Sequence, residues 1–382
     1  MSRLEELIRE LCPDGVEYRK IGSIAKVLRG KRLTKNQLAA DNKYPVYHGG
    51  LEPLGFYKEK NRDADTTMVI NVGASAGTVG FCDKDFWSSD GCYCISHNDV
   101  TVPKFIYLAL SCQEKYIVSR VRHAGIPTLD AKVIEELSIP VPPIEVQREI
   151  VRILDKFTTL TAELTAELTA RQKQYNYYRE KLLTYNEDVR WLTIADVCRK
   201  VVSGGTPQAG NPEYYGGNIP WLRTQEIDWH DICDTSIKIT EAGLSNSSAK
   251  WIPANCVIVA MYGATAAKVA INKIPLTTNQ ACCNLEIDNT IALYRYVFHW
   301  LCKEYMTLKS LGQGSQSNIN AQTVKNYKIP VPPLAVQQRI VNILDRFDAI
   351  CNDFTSGLPA EIEARKKQYE YYRDKLLTFR EV

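Results

Sequence analysis

The sequence lacks the motifs on which most metal sites and enzyme active sites depend. Its twelve cysteines form no Cys-x-x-Cys pair and no Cys/His run at zinc spacing, and its five histidines are scattered. No hydrolase triad or pair of catalytic carboxylates can be recognised. No apolar run is long enough to span a bilayer, and the charged start, MSRLEELIREL, is not typical of a signal peptide. We expect a cytoplasmic protein with reduced thiols, whose buried cysteines act as small hydrophobic residues.

A large excess of one charge is also absent. The formal net charge is +3, so charge alone does not indicate a nucleic-acid binder. The chain has 382 residues, of which 45% are hydrophobic and 24% are charged. This composition is typical of globular proteins, and the length exceeds what one ordinary core contains. We therefore expect two or more domains.

One long stretch of sequence occurs twice. Residues 139–157 read IPVPPIEVQREIVRILDKF, and residues 329–347 read IPVPPLAVQQRIVNILDRF. Further along, residues 170–185 read ARQKQYNYYREKLLTY and residues 364–379 read ARKKQYEYYRDKLLTF, so four residues are inserted between the two blocks of the second copy. Each copy follows a variable region. A repeat this long is not a solenoid and indicates duplication followed by divergence.

The repeated blocks predict long helices, because apolar or aromatic residues recur at alternating spacings of four and three. Pro142 and Pro143 suit the start of the first helix. In the second copy, SGLP at residues 356–359 predicts a break. In the first copy the seam runs to Tyr185, with Thr161 and Arg171 as exceptions: Ile150, Leu154, Phe157, Leu164, Leu168, Tyr175, Tyr178, Leu182 and Tyr185. In the second it is Ile340, Leu344, Phe347, Cys351, Phe354 and Leu358, then Tyr369, Tyr372, Leu376 and Phe379.

The fold class expected is two tandem α/β (α+β) domains with a pseudo-twofold internal repeat, separated by a long antiparallel two-helix coiled coil. TTMVINVG and CVIVAMYG predict strands, while VPKFIYLALSCQEKYIVSRV and LYRYVFHWLCKEYMTLKSL each predict one amphipathic helix. The alternative is two helices buried in separate cores. The domains are expected at 1–140 (N-terminal helix and first variable domain), 141–186 (first conserved helix), 187–330 (second variable domain) and 331–382 (second conserved helical region).

Two motifs resemble catalytic or nucleotide-binding signatures. NPEY at residues 211–214 resembles the Asn-Pro-Pro-Tyr signature of adenine-N6 methyltransferases, but its second proline is missing and no glycine motif for S-adenosylmethionine precedes it. GASAGTVG at residues 73–80 resembles a phosphate loop but lacks the Gly-Lys-Ser/Thr ending. We expect turns at both places.

The loops of the variable regions carry groups that suit the reading of DNA. KVLRGKRLTK at residues 26–35 has five basic residues and no acidic one, and SGGTPQ, WLRTQEI, TTNQ and GQGSQSNINAQ are dense in amides and hydroxyls. Asn and Gln can bond adenine, and Arg can bond guanine. The alternative is an ordinary solvated surface of polar turns. The predicted DNA contacts are Arg29, Lys31, Arg32, His48 and Ser75 in the first region, and Thr206, Arg223, Gln225, Tyr262, Asn279, Gln280, Gln316 and Asn318 in the second.

The tandem arrangement, the IPVPP blocks, TAELTAEL at residues 161–168 and QKQYNYYREKLL resemble the specificity subunit of type I restriction-modification enzymes, and the TAEL-repeat subgroup in particular. The resemblance implies target recognition domains that each read one half of a bipartite site in double-stranded DNA. It implies that the helices act as a spacer and as the platform for two modification (methyltransferase) subunits. Those subunits would bring S-adenosylmethionine, so this chain would hold no cofactor and no metal.

Restriction/translocase subunits would join the same complex, and no membrane would be involved. Because the two variable regions have diverged, the half-sites would differ and the whole site would not be a palindrome. Two alternatives from other classes stay open at this point. One is a catalytic DNA adenine methyltransferase that uses NPEY, and the other is a coiled-coil adaptor that binds only proteins.

Overall fold

The computed structural model describes residues 3–186, 188–312, 318–353 and 355–382, so Gln316 and Phe354 of the predictions lie outside the described residues. The chain divides into two compact units. The first unit is Met1–Glu163 with Glu363–Val382, and the second unit is Leu164–Ile362. Each unit contains one variable region. The division falls within two long helices, and the boundaries predicted at 140, 186 and 330 stay predictions.

Up to residue 186, the chain forms nine strands and six α-helices among the described residues. Strands β1 to β9 are Tyr18–Lys20, Val27–Arg29, Tyr44–Tyr47, Gly55–Tyr57, Thr66–Ile70, Val79–Cys82, Trp87–Ser88, Cys92–Ile95 and Ser138–Pro140. Helices α1 to α6 are Arg3–Leu11, Ile21–Ile24, Pro103–Cys112, Glu114–Ser119, Ala131–Glu135 and Ile144–Leu182.

The rest of the chain forms ten strands and six α-helices among its described residues. Strands β10 to β19 are Trp191–Thr193, Cys198–Ser203, Tyr215–Leu222, Asp231–Ile232, Lys238–Ile239, Val257–Ala260, Val269–Asn272, Thr277–Thr278, Cys282–Ile287 and Lys328–Pro330. Helices α7 to α12 are Glu241–Ser245, Tyr294–Lys303, Tyr305–Ser310, Ala321–Asn326, Leu334–Asn352 and Leu358–Leu376. Four short 3-10 turns complete the description: Lys35–Gln37, Ala195–Val197, Pro212–Tyr214 and Thr224–Glu226.

The two units have the same sheet topology. In the first unit, β2-β8-β5-β6 form an antiparallel sheet, β4-β3-β7 form a second sheet, and β1 pairs with β9. In the second unit, β11-β18-β15-β16 repeat the first of these sheets with β13 added at its edge. The order β14-β12-β17 repeats the second sheet, and β10 pairs with β19. The duplication seen in the sequence is therefore a duplication of the whole domain.

The central strands β5 and β15 lie where the sequence predicts strands, and both are buried along their whole length. In β5, Val69 packs in the cluster that contains Ile106 of α3, whereas Met68 packs with Phe86 on the other face. In β15, Val259 and Ile258 divide between two clusters in the same way. Since both faces of the sheet are covered, these strands are apolar at consecutive positions and do not alternate.

The predicted helices over 102–121 and 293–311 are each divided in two, by Gln113 and Glu304 respectively. The prediction of one continuous helix in each region is therefore wrong. The turn directs a second short helix back toward the domain, where Ile117 of α4 and Leu308 of α9 are fully buried. Burial of these two residues is a tertiary effect, and the helical periodicity of the sequence does not reveal it.

The long helix α6 contributes to both units and pairs with a different helix in each. In the second unit, Arg171 lies near Cys351 and Tyr175 stacks with Phe347, so position along α6 rises as position along α11 falls and the two helices are antiparallel. In the first unit, Phe157 of α6 stacks on Tyr372 of α12, with ring centroids 5.4 Å apart. The predicted seam thus makes aromatic contacts in both units.

The ends of the long helices differ in detail from the prediction. Helix α6 ends at Leu182, and Tyr185 beyond its end accepts a hydrogen bond from the Tyr296 hydroxyl, at 3.0 Å. In the second copy α11 ends at Asn352 and α12 begins at Leu358, so two helices stand where the first copy has one. The Asp353 carboxylate accepts hydrogen bonds from the Thr355 amide and the Ser356 hydroxyl. A Cβ at Gly357 would lie 2.6 Å from two backbone oxygens, so this turn requires glycine.

A buried polar network joins α8 to α6 and α11 in the second unit. His299 is fully buried, with Nε2 2.6 Å from Asp345 Oδ1 and Nδ1 3.3 Å from the Tyr175 hydroxyl. Arg295 donates to Asp345 and Asp348, at 2.7 and 3.0 Å. Burial lowers the pKa of His299, and this effect outweighs the opposing effect of Asp345. His299 is therefore neutral in the folded unit near neutral pH.

Acidification is expected to destabilise the second unit through His299. The pKa of His299 is lower in the folded than in the unfolded chain, so stability is lost as the pH falls below about 6.5, the usual histidine pKa. We expect a loss on the order of 1 kcal/mol between pH 7.5 and 5.5. Hydrogen exchange of the α8 amides over this range, corrected for intrinsic rates, measures it.

His299→Gln should weaken this pH dependence, because glutamine can bond Asp345 without taking up a proton. The control is His230→Gln, since His230 is exposed. An unchanged pH dependence of α8 protection in His299→Gln would contradict the prediction.

Candidate nucleic-acid interface

Several loops meet at one edge of the four-stranded sheet in the first unit. The register pairs Arg29 with Tyr93 and Ile70 with Cys92, so the end of β2, the start of β8 and the end of β5 lie together. The loops that leave these strands surround a cleft of about 440 Å³. Its lining residues are Arg29, Arg32, His48, Asn71, Val72, Asp90, Tyr93, Arg122, Thr128, Leu129 and Asp130.

Four backbone hydrogen bonds hold the loops around this cleft. They run from Lys31 N to Ser88 O, from Ser89 N to Tyr47 O, from Asn71 N to Gly91 O and from Leu129 N to Asn71 O, with lengths of 2.9 to 3.1 Å. The approach of the first loop depends on Gly30, because a Cβ there would lie 2.1 Å from Ser89 O. The cleft is thus supported by fixed backbone and not only by side chains.

The second unit contains the same four hydrogen bonds. They run from Gly205 N to Thr278 O, from Asn279 N to Leu222 O, from Met261 N to Ala281 O and from Ile319 N to Met261 O, with lengths of 2.8 to 3.0 Å. Gly204 takes the place of Gly30, because a Cβ there would lie 1.9 Å from Thr278 O. The matching bonds align the loops position by position. The aligned pairs are Arg32 with Thr206, His48 with Arg223, Asp90 with Gln280, and Thr128 with Asn318.

The structure brings three of the five predicted contacts of the first region together. Arg29, Arg32 and His48 line the cleft. The side chain of Lys31 is exposed, while its carbonyl accepts a hydrogen bond from Trp87 Nε1 at 2.7 Å. Ser75 is exposed on the turn between β5 and β6 and is not among the lining residues. Lys31 and Ser75 thus stay predictions without support from the cleft.

In the second unit, two of the predicted contacts are bonded to each other, and a third is held by two neighbouring side chains. The Thr206 hydroxyl donates to Gln280 Oε1. Arg223 is half-buried, lies 3.7 Å from Glu226 Oε1 and donates to the Ser236 hydroxyl at 3.3 Å. Thr206 and Gln280 therefore present one joint polar surface, whereas Arg223 is positioned by Glu226 of its own loop and by Ser236 of the loop between β13 and β14.

The remaining predicted contacts of the second region have different roles. The Asn279 side chain accepts a hydrogen bond from the Ala281 amide at 3.2 Å and so stabilises its own turn. Asn318 accepts from the Gly263 amide at 3.0 Å and joins two of the loops. Two others are exposed on these loops: Gln225 and Tyr262.

The sequence pattern did not reveal several lining residues of the cleft. Asp90 follows two serines in a short turn, and Arg122 and Thr128 pair across an isolated antiparallel bridge. These residues lie outside the basic and amide-rich runs. Thr128 aligns with the predicted Asn318, but this correspondence follows from the backbone hydrogen bonds of the structure and not from the sequence. Arg122 lies 3.7 Å from Asp130, so this pair adds one positive and one negative charge to the cleft.

The motif NPEY lies in a turn, as predicted. The Asn211 side chain accepts a hydrogen bond from the Glu213 amide at 3.1 Å and caps the 3-10 turn Pro212–Tyr214. In the described part of the chain, no three His, Cys, Asp or Glu side chains are grouped so that they could hold a metal ion. None of the described helices combines the length and apolar character needed to cross a membrane.

The fold therefore defines a tandem protein in which one α/β domain occurs twice, with polar and basic loops at the same sheet edge in each copy. The chain belongs to the family described as the type I restriction modification DNA specificity domain, which matches residues 13–171 and 186–364. Specificity subunits of type I restriction-modification systems bind DNA and assemble with other subunits.

Proteins of this kind from several bacteria are similar to the chain. The EcoR124I/EcoR124II specificity subunit of Escherichia coli is 42% identical over 259 residues, which cover 64% of this chain and 63% of that subunit. A putative type I restriction enzyme specificity subunit of Haemophilus influenzae is 28% identical over 95% of this chain and 96% of its own length. The crystal structure of the S subunit from M. genitalium has the same fold, with a TM-score of 0.68, 18% identity and coverage of 95% and 96% of the two chains.

These findings confirm the family predicted from the repeated blocks and the tandem α/β fold. At the level of the family they also confirm the predicted function, which is DNA sequence specificity in a type I restriction-modification system and not catalysis. Membership of the TAEL-repeat subgroup stays a prediction.

Proposed function

We propose that the chain reads a bipartite, asymmetric site in double-stranded DNA, with one half read by each variable domain. The observation that carries this proposal is that the backbone holds the loops at the sheet edge in the same way in both units. We call these loops, with the four backbone hydrogen bonds that hold them, the loop platform of each unit. Four matching backbone hydrogen bonds support the loops in each unit, yet the side chains at aligned positions differ, as with His48 and Arg223 or Asp90 and Gln280. One platform with two sets of side chains suits two different half-sites.

The side chains of each platform suit different contacts with DNA. In the first unit, Arg29 and Arg32 can neutralise phosphates or bond the acceptor edge of guanine. In the second unit, the bonded pair Thr206–Gln280 offers an amide, which both donates and accepts and so suits adenine. Phosphate contacts would hold each domain on the duplex, and contacts to base edges would select the sequence.

We further propose that the two repeated helices each dock one modification subunit. An exposed aromatic group recurs on both: Tyr177 of α6 and Tyr371 of α12 are 59% and 60% exposed. The neighbouring lysine ammonium lies over each ring, Lys181 at 5.7 Å and Lys375 at 5.8 Å from the centroid. Exposed aromatics of this kind favour protein interfaces. Two similar surfaces suit two copies of one partner.

The docked subunits would supply S-adenosylmethionine and the methyl-transfer site, and restriction/translocase subunits would add cleavage. This chain would select the DNA sequence on which the complex acts. The helix α6, which runs without interruption from Ile144 to Leu182, would act as the spacer that separates the half-sites.

Exchange of one variable domain tests the proposal. We expect that replacing residues 15–138 by the matching segment of a related specificity subunit changes one half of the methylated motif and leaves the other half unchanged. The reason is that the cleft of the first unit is built wholly from residues of that segment. The measurement is the methylated motif in cells that carry the full chain with its modification subunit.

The matched control is the exchange of residues 188–328, which should change only the other half. If either exchange altered both halves together, the assignment of one half-site to each domain would be wrong.

A further inference from the structure

We propose that Asp90 is a specificity-determining residue of the first half-site and that it accepts a hydrogen bond from the exocyclic amino group of a cytosine or an adenine. This inference rests on the proposed function, in which the cleft of the first unit faces DNA. It assigns to one side chain the class of base that the cleft selects.

The carboxylate of Asp90 is held at a defined place in the cleft. Its Oδ1 accepts a hydrogen bond from the Ser89 hydroxyl at 3.1 Å and lies 3.3 Å from His48 Nδ1. Its backbone carbonyl accepts from Arg29 Nε at 3.3 Å and from Asn71 Nδ2 at 3.2 Å. The side chain keeps 30% of its surface exposed. Asp90 is thus held by three separate parts of the chain, at Arg29, His48 and Asn71, and is still open to a ligand.

The turn that carries Asp90 is shaped for its contact with His48. A Cβ at Gly91 would lie 2.7 Å from His48 Nδ1, so a larger residue there would push the imidazole away. In the second unit the aligned position is Ala281, and the residue aligned with His48 is Arg223. The first unit thus has glycine where an imidazole closely approaches the turn, and the second unit has neither the glycine nor the imidazole.

The chemistry of a carboxylate restricts what Asp90 can contact on DNA. Arg29, Arg32 and Arg122 line the same cleft and suit phosphates and guanine acceptors. An ionised carboxylate only accepts hydrogen bonds, and it repels phosphate. In the major groove the available donors are the amino groups N4 of cytosine and N6 of adenine. Asp90 is therefore suited to a base edge and not to the backbone of DNA.

The aligned residue of the second unit supports a reading role for this position. Gln280 stands at the same point of the same turn and is bonded to Thr206. An amide both donates and accepts, whereas a carboxylate only accepts. The position thus carries a polar group of different hydrogen-bonding character in each unit, as expected where the two domains read different bases.

The experiment removes single amino groups from the DNA and the carboxylate from the protein. The full chain, assembled with its modification subunit, is bound to duplexes of its own methylated motif. In each duplex one cytosine or adenine of the first half-site is replaced by an analogue without the exocyclic amino group. We expect one analogue to weaken binding of the wild-type complex by roughly 5- to 150-fold. Asp90→Ala, which has no side-chain acceptor, should be insensitive to that analogue, and its methylated motif should be relaxed at that position alone.

The control variant is Asp99→Ala, which removes the same carboxylate at an exposed residue beyond the far end of β8. It should behave as the wild type. The inference is overturned if Asp90→Ala keeps the wild-type sensitivity to every analogue. It is also overturned, without any variant, if the wild-type complex tolerates the loss of every amino group in the first half-site. Failure of the proposed function looks different, because the wild-type methylated motif would then not be bipartite.

Discussion

Inserting a third Thr-Ala-Glu-Leu unit after Leu168 is expected to abolish methylation of the original site and to create a site with the same half-sites one or two base pairs further apart. The insertion point lies within the continuous helix α6. Four residues add about 6 Å of helix, and DNA rises about 3.4 Å per base pair. Leu164 and Leu168 are partly buried, and a third Leu at the same interval continues this apolar stripe. The methylated motif of the variant measures the change.

Glu167→Gln is the matched control, since it alters the same block without changing its length. Glu167 pairs with Arg171 on the exposed surface of the helix, at 3.3 Å, and a surface pair of this kind contributes little stability. Its motif should be that of the wild type. An active insertion variant with an unchanged gap would show that α6 is not the spacer. A change in the half-site bases would contradict the proposal as well.

Replacing Gln337 by Met is expected to destabilise the second unit by about 3 to 5 kcal/mol. Gln337 is fully buried at the start of α11. Its Oε1 accepts from the Leu293 amide at 2.9 Å, next to the start of α8, and its Nε2 donates to the carbonyls of Ile291 and Pro332 at 3.2 and 2.8 Å. Methionine has a similar size but would leave one amide and two carbonyls without these partners. Each such loss costs about 1 to 3 kcal/mol.

Hydrogen exchange distinguishes this effect from a general loss of stability. Protection of the α8 amides should fall in Gln337→Met, while α3 of the first unit keeps its protection. The control is Gln338→Met, the next residue along the helix, which is exposed and should behave as the wild type. Equal protection of α8 in the two variants would contradict the prediction.

In the first unit, Gln147 makes the same three hydrogen bonds as Gln337 makes in the second. This equivalence gives a physical reason for part of the sequence repeat. Gln147 accepts from the Val102 amide at 2.8 Å and donates to the carbonyls of Val100 and Pro142 at 2.9 and 2.7 Å. In the sequence, both glutamines stand at the same place after the IPVPP motif. Each joins a variable domain to its helix, so this part of the repeat has to match a fixed geometry. The divergent loops are free of that constraint.

The secondary structure was predictable where it depends on local pattern. The heptad spacing indicated the long helices, and apolar runs indicated β5 and β15, because burial of a face imposes a period on the residues themselves. The divisions at Gln113 and Glu304 were not predictable. They depend on where α4 and α9 find buried space, which is set by distant parts of the fold.

The candidate site was predictable only in part, for a similar reason. Arg29, Arg32 and His48 could be named from the sequence, the two arginines because basic residues are concentrated in one run. Asp90 and Arg122 could not, since they enter the cleft through strand register and loop contacts over long separations along the chain. Nothing in their immediate neighbours in the sequence signals this meeting.

The sequence by itself thus determined the duplication, the paired helices and the family, because repeated blocks and heptad periodicity are properties of neighbouring residues. Only the tertiary structure decided which side chains share a cleft and which positions of the two domains correspond. The variable regions align weakly in sequence, yet the same backbone hydrogen bonds recur in both. Backbone geometry is maintained by hydrogen bonds that do not depend on side-chain identity, so it can persist while the side chains at the cleft diverge.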